Sequence, residues 1–258
     1  MNRHEVPNAI LGLPGRPTNG GSRPRFYEFD DGVPRLVKWH PSVHGAKACY
    51  NELVASRLGQ LFGAPILRGL VVYVADEIIP SDHRAEGAAP GFHFGVTRMQ
   101  GENFVPSQHY QEIENDSELP FAAVFLAWLS IGDQEGHNQF LQRLEVHQSS
   151  GTVQRTMRFR LVDMGQMFGN FRWTAQTLPP VAAGYRLPGH LAEKVNWDKL
   201  SPAVASLCSL DEAAIRDCFT APDEWSIASD DRDAAVNWVL ERRALMDGVI
   251  RNSNTSIN

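Results

Sequence analysis

The sequence predicts an α+β chain of two lobes, a β-rich N-terminal lobe over residues 1–101 and a mainly helical C-terminal lobe over residues 102–258. Three observations predict it. In the first hundred residues short apolar runs, punctuated by Asp, Gly and Pro, surround a single helical repeat. From Glu118 the apolar spacing turns helical, and a hairpin pattern that ends in an acidic residue interrupts the helical part. With 258 residues, 43% of them apolar, the chain is long enough to bury a substantial core.

Residues 1–24 read mostly as loop, with turn signals at Leu13-Pro14-Gly15 and Asn19-Gly20-Gly21-Ser22. Arg25 to Phe29 and Pro34 to Trp39 read as strands joined by Asp30-Asp31-Gly32, since Asp and Gly tolerate the positive φ of a tight turn. From Ala46 to Phe62 the residues Cys49, Leu53, Val54, Leu58, Leu61 and Phe62 recur at helical spacing, and Gly63 supplies a C-terminal cap. Leu67 to Ala75 and Phe92 to Met99 are strand-like runs on either side of a Pro/Gly/Ala loop from Pro80 to Gly91. Gln100-Gly101-Glu102 then breaks the pattern as a hinge between lobes. Glu118 to Ile131 is apolar almost all round, as a buried helix should be, and its end delivers Asp133. Gln139 to His147 and Arg155 to Val162 flank Ser149-Ser150-Gly151 as a hairpin that places Asp163 at a strand end. Helices with Pro/Gly interruptions follow from Trp173, the last over Asp233 to Ile250 with Ala235, Val236, Val239, Leu240 and Leu245 on its apolar face.

The formal net charge is −6 and Lys and Arg form no long block, which argues against a generic grip on nucleic-acid backbone. Cys49, Cys208 and Cys218 are odd in number and lack metal-ligand spacing. They are expected to be reduced thiols of a cytoplasmic protein, packed as small buried residues. The N-terminus has no apolar export core, and the most apolar run, Phe121 to Ile131, is about half of the roughly 20 residues that cross a bilayer, so no membrane span is expected. His40 and His44 are four apart with nothing to complete a metal site, and a surface position is expected for both.

Two fragments carry the chemistry: Ile131-Gly132-Asp133-Gln134-Glu135-Gly136-His137-Asn138, and Phe159-Arg160-Leu161-Val162-Asp163-Met164-Gly165. An Asp with an Asn five residues on, followed at a strand end by an Asp and a Gly, provides what phosphoryl transfer needs. One carboxylate orients the attacking hydroxyl, while an amide and a second carboxylate fix Mg²⁺ against phosphates.

On these residues the chain resembles the HipA-like kinase family, within the protein kinase and phosphatidylinositol kinase superfamily. The resemblance spans roughly residues 20–250 and implies a two-lobed protein-kinase-like fold. It also implies ATP and Mg²⁺ as cofactors, and transfer of the γ-phosphate to a hydroxyl, Ser or Thr of a protein whose identity the sequence does not give. Asp133 falls on the proton-accepting position, Asn138 and Asp163 on the metal-binding ones. Lys38, at the end of an apolar strand, and Glu52, in the next helix, match the ion pair that engages the α- and β-phosphates, Glu28 and Glu77 being the alternatives to Glu52. Gly20, Gly21 and Ser22 offer backbone N–H groups to phosphates, and Met99 sits at the hinge that would hold adenine, with Val37, Ile66 and Val96 as apolar walls. The late stretch Cys218 to Trp225, followed by a helix with Arg242 and Arg243, resembles the end of the shorter family members.

The chain departs from the family pattern at Glu135, which puts a carboxylate near the transferring phosphate, and His137 is the nearby basic candidate to offset it. Some family members are toxins held by a restraining partner. Two other readings stay open. One is a pseudokinase or nucleotide-binding scaffold, which Glu135 favours. The other is a small-molecule kinase, whose usual His before the catalytic Asp is here Gly132.

Overall fold

The computed structural model describes residues 1–14, 23–42, 45–103, 109, 113–114, 116–129, 138–147, 153–182 and 197–255. A five-stranded antiparallel sheet comes first, in the order β1 (Ala9–Gly12), β2 (Arg25–Phe29), β3 (Arg35–Lys38), β5 (Gly91–Thr97), β4 (Gly69–Val74). A bridge between Asn8 and Tyr73, with Tyr73 N–H donating to Pro7 O at 3.0 Å, brings the first and last strands of this order together, so the sheet curls. β1 lies in the stretch expected to be loop. Its four residues are too few to show alternation, and it forms by pairing with β2 while Asn8 is held by Asp30.

Helix α1 (Gly45–Phe62) packs on one face of the sheet. Gly63, at φ +84, closes it: Gly63 N–H reaches Gln60 O at 3.3 Å and Ala64 N–H reaches Gly59 O at 2.8 Å, the paired bonds of a Schellman ending. The opposite face forms a second core from Tyr27, Phe29, Val37, Trp39, Val72 and Val74 under the short helix α2 (Ser81–Ala85), which interrupts the loop expected over residues 80–91. The pleat decides which residues face which core. Arg35 and Val37 are buried on the second face, so Leu36 and Lys38 fall on the α1 side.

The chain leaves this sheet after Thr97 and enters a second one at once. Gly101–Asn103 form β6, paired with β7 (Gln139–His147), which pairs in turn with β8 (Val153–Leu161). The expected break at residues 100–102 therefore runs into a strand at Gly101. Gly101 permits the close approach, since a Cβ there would lie 2.0 Å from Leu141 O.

Helix α3 (Leu119–Trp128) is buried nearly throughout. It packs against α4 (Trp197–Cys208) and α6 (Ser229–Thr255), with α5 (Glu212–Asp217) capped by Asp211, whose Oδ1 accepts from Ala214 N–H at 3.0 Å. On α6, Ala235, Val236, Trp238, Val239 and Met246 are buried, whereas Leu245, placed on the apolar face by the sequence pattern, is exposed. Arg242 is fully buried. Its guanidinium donates to Trp128 O at 2.5 Å, Ala127 O at 2.7 Å and Val181 O at 2.7 Å, and lies over the Trp238 ring at 4.6 Å. Cys208 is exposed, unlike Cys49 and Cys218, and all three are free thiols.

β5 outruns β3, whose last paired residue is Lys38 opposite Phe94. Beyond that point a 3-10 turn at Asp223–Trp225 takes over. Phe92 N–H donates to Glu224 Oε2 at 3.2 Å, and Phe92 O accepts from Trp225 Nε1 at 2.8 Å and from His40 Nδ1 at 3.0 Å. His40 is thus half-buried and stacked on His93 rather than on the surface.

His93 is fully buried, and its Nε2 donates to Ala89 O at 2.7 Å. Burial, reinforced by the neighbouring His40, pushes its pKa from the ordinary 6.5 down to about 3. Between those values the unfolded chain binds a proton that the folded chain does not. The stability contributed by neutral His93 is therefore fully present above pH 6.5 and is lost as pH falls toward 3. At about 1.4 kcal/mol per pH unit, acidification from pH 7 to pH 5 is expected to cost about 2 kcal/mol in urea unfolding. His93→Gln is expected to flatten that slope, and an unchanged slope would rule His93 out as its source.

Candidate active site

Lys38 ends β3 on the α1 side of the sheet, and Glu52 lies on the buried face of α1, two turns from its start. The Lys38 ammonium donates to Glu52 Oε1 and, at 2.7 Å, to Asp163 Oδ1. Glu52 is fully enclosed. Its second oxygen accepts from Met164 N–H at 3.1 Å, so one carboxylate ties the lysine to the backbone that follows Asp163.

Asp163 follows the end of β8 in the left-handed region, at φ +54, a conformation Asp tolerates better than most residues. The hairpin register explains why Asn138 is beside it. Gln139 pairs with Leu161, so the residue before β7 faces the residues after β8. Asn138 Nδ2 donates to Asp163 O at 2.5 Å and Val162 O at 3.3 Å, while Val162 N–H donates to Asn138 O at 2.9 Å. The carbonyl partners fix the carboxamide with its oxygen as the remaining acceptor. β8 is itself held to the segment after α1: Leu67 N–H donates to Leu161 O at 3.1 Å, and Leu161 N–H to Pro65 O at 2.8 Å.

Burial alone would discharge Lys38, but the Glu52 and Asp163 carboxylates outweigh it and hold its pKa above the ordinary value. Burial pushes the Glu52 carboxyl up, against the pull of Lys38. Cys49, whose thiol donates to Lys38 O at 3.3 Å, is also raised by burial, to about 12, which makes it an inert packing group.

Lys38, Glu52 and Asp163 line a cleft of about 510 Å³. One end is polar, with Lys38, Glu52 and Asp163. The other is apolar, walled by Leu36, Ile66, Val96 and Leu161, with Met99 where the chain passes between sheets. Val37, expected as a wall, faces the second core, and its neighbour Leu36 takes the place. Sequence reasoning also missed Asn51, a fully buried polar residue beside Glu52. The signal available for it was weak: a polar side chain in the middle of an apolar helical repeat.

Among the described residues no group of three or more His, Cys, Asp or Glu side chains could hold a metal ion by itself. The donors present, the Asp163 carboxylate and the Asn138 carboxamide oxygen, are hard oxygen ligands. They suit a small divalent cation whose other ligands are phosphates and water. Gly20, Gly21, Ser22, Asp133, Glu135 and His137 lie outside the described residues. No described helix is long and apolar enough to cross a membrane.

The curled sheet with α1 on one face, and the largely helical second lobe, form a two-lobed α+β protein-kinase-like fold, the class expected from the sequence. The proinflammatory kinase CtkA of Helicobacter pylori has a similar structure, at a TM-score of 0.58 with 10% identity over 96% of this chain and 96% of that one. A Golgi casein kinase, crystallised with Mn and ADP, is similar at a TM-score of 0.46 with 9% identity over 97% of this chain and 74% of that one. No protein-family model matches the chain, and no curated protein sequence matches it.

Proposed function

We propose that this chain is an ATP- and Mg²⁺-dependent kinase of HipA-like type, with its lobe boundary at residues 101/102. It would transfer the γ-phosphate to a hydroxyl, Ser or Thr of a protein. The observation that carries this reading is the meeting of Lys38, Glu52 and Asp163, remote in sequence, in one cleft that also has an apolar wall, with Asn138 bonded to the Asp163 carbonyl.

Each residue then has a task. Leu36, Ile66 and Val96 enclose the base near Met99. Lys38, kept charged by two carboxylates, meets the α- and β-phosphates, and Glu52 holds it there. Asp163 and Asn138 would hold the metal through their oxygens, and the metal when bound would neutralise phosphate charge. Asp133 takes the proton as the substrate oxygen bonds to phosphorus and the bond to the β–γ bridging oxygen breaks. His137 would be the basic group to offset the charge of Glu135. Gly20, Gly21 and Ser22 would offer backbone N–H groups to the phosphates. A cytoplasmic setting suits the three free thiols, and a restraining partner belongs to this reading if the protein is a toxin.

The test is Mg²⁺-dependent transfer of label from γ-labelled ATP to protein. In Lys38→Met, kcat/KM for ATP is expected to fall about a hundredfold, because a charge aimed at the phosphates is removed. If the wild type binds nucleotide and transfers nothing, the scaffold reading, which Glu135 favours, replaces this one.

A further inference from the structure

After β8 the chain runs from Asp163 to Trp173 without a strand or an α-helix, yet much of it is buried, including Met164, Met167, Phe168 and Trp173. Buried backbone of this kind needs partners from elsewhere. Asn51, fully buried on α1, supplies them. Its Nδ2 donates to Gly165 O at 2.8 Å, Met167 O at 3.0 Å and Asn170 O at 3.3 Å, and its Oδ1 accepts from Trp173 Nε1 at 2.9 Å. The carboxamide can sit only one way round, since carbonyls demand its donor and the indole its acceptor.

The neighbouring Glu52 takes the N–H of Met164 while Asn51 holds the carbonyl of Gly165. Two successive residues of α1 thus grip two successive residues of the segment, directly after Asp163. That segment needs such a grip: Asp163 at φ +54 and Phe168 at φ +64 are left-handed non-glycine residues, which persist when their surroundings over-determine them.

We infer that Asn51 is a positioning residue for the metal: by clamping residues 165–170 it aims the Asp163 carboxylate into the cleft. This rests on the kinase reading above for the identity of the metal, but not for the clamp itself. An aspartate at this position would face three carbonyls with a carboxylate, and a leucine would leave them without a donor.

The test compares binding of an N-methylanthraniloyl derivative of ATP to full-length wild type and Asn51→Leu, in EDTA and in Mg²⁺. The strengthening of binding by Mg²⁺ is expected to shrink about tenfold in the variant, the usual scale for losing a group that orients a metal ligand. Binding in EDTA is expected to change less than twofold. In metal-free protein, amide hydrogen exchange is expected to speed up over residues 164–170 and stay unchanged in α6. Should Asn51→Leu fail to fold, Trp173→Phe removes the indole donor to Asn51 Oδ1 and is expected to shift the same ratio by a smaller factor. A folded variant that keeps the wild-type Mg²⁺ gain, or loses affinity equally with and without metal, overturns the inference, as does a wild type with no Mg²⁺ gain. Phosphate transfer by the wild type is scored separately. Its absence alongside an intact Mg²⁺ gain removes the kinase reading and leaves the clamp standing.

Discussion

Asp163→Ala is expected to lower kcat for ATP-dependent phosphate transfer about a thousandfold, with nucleotide affinity in EDTA kept within a few-fold. The loss follows from the geometry. The side chain is largely exposed and lines the cleft, and Asn138 is locked to the same residue's carbonyl, so one substitution removes the carboxylate proposed to hold the metal. Loss of a group that stabilises charge in the transition state costs about 10²- to 10³-fold. Nucleotide binding survives because Lys38 retains Glu52 as a partner. Alanine also tolerates φ +54 poorly, so a fold effect must be separated from a chemical one. Asp163→Asn does so: it keeps the shape and the left-handed tolerance and loses only the charge. Steady-state kinetics on both variants should show similar deficits, with a lower Tm for the alanine alone. An active Asp163→Asn would remove the metal-binding role.

Arg242→Met is expected to destabilise the fold by about 3–5 kcal/mol, the largest effect on stability anticipated in this chain. The methionine keeps much of the stem but leaves Ala127, Trp128 and Val181 carbonyls without their donor in a buried site. Two of those carbonyls end α3, where the negative pole of the helix favours a cation. At roughly 2–4 °C per kcal/mol for a chain of this size, Tm should drop by about 10 °C. Arg242→Lys should recover little, since one ammonium cannot serve three carbonyls that a planar guanidinium reaches together. A Tm within 2 °C of wild type, on the order of 1 kcal/mol or less, would show that the carbonyls find other partners. Because α3 leads toward Asp133, activity should fall with the same substitution.

The parts of the site that were legible in the sequence are those fixed by local pattern. Lys38 closes an apolar strand before a helix that carries Glu52, and the hairpin spacing that sets Asn138 before β7 and Asp163 after β8 is visible in the alternation of both arms. The strands β2 to β5, α1 with its Gly63 ending, and the helical second lobe were legible for the same reason, whereas the curl of the sheet was not. Val37 was misassigned although the period of two forbids it: with Lys38 in the cleft, its immediate neighbour must face away, and Leu36 must share the lysine's side. Asn51 and Arg242 were hidden for a different reason. Their partners are carbonyls of segments 114 or more residues away in Asn51's case and likewise in Arg242's bonds to α3, and such acceptors carry no residue signature. β1 was hidden because four residues acquire strand identity only from β2.

The attachment at Phe92 bears on how the cleft can breathe. The backbone crossing at residues 98–101 connects the two sheets, and the Glu224 and Trp225 side chains on β5 make another connection, joined by the Tyr50 hydroxyl on Phe219 O at 3.2 Å. Swinging the sheet away from the helices would draw a nearly enclosed indole into water and strand its N–H in transit. A swing of the sheet that widened the cleft would therefore have to break these side-chain bonds as well as bend the crossing.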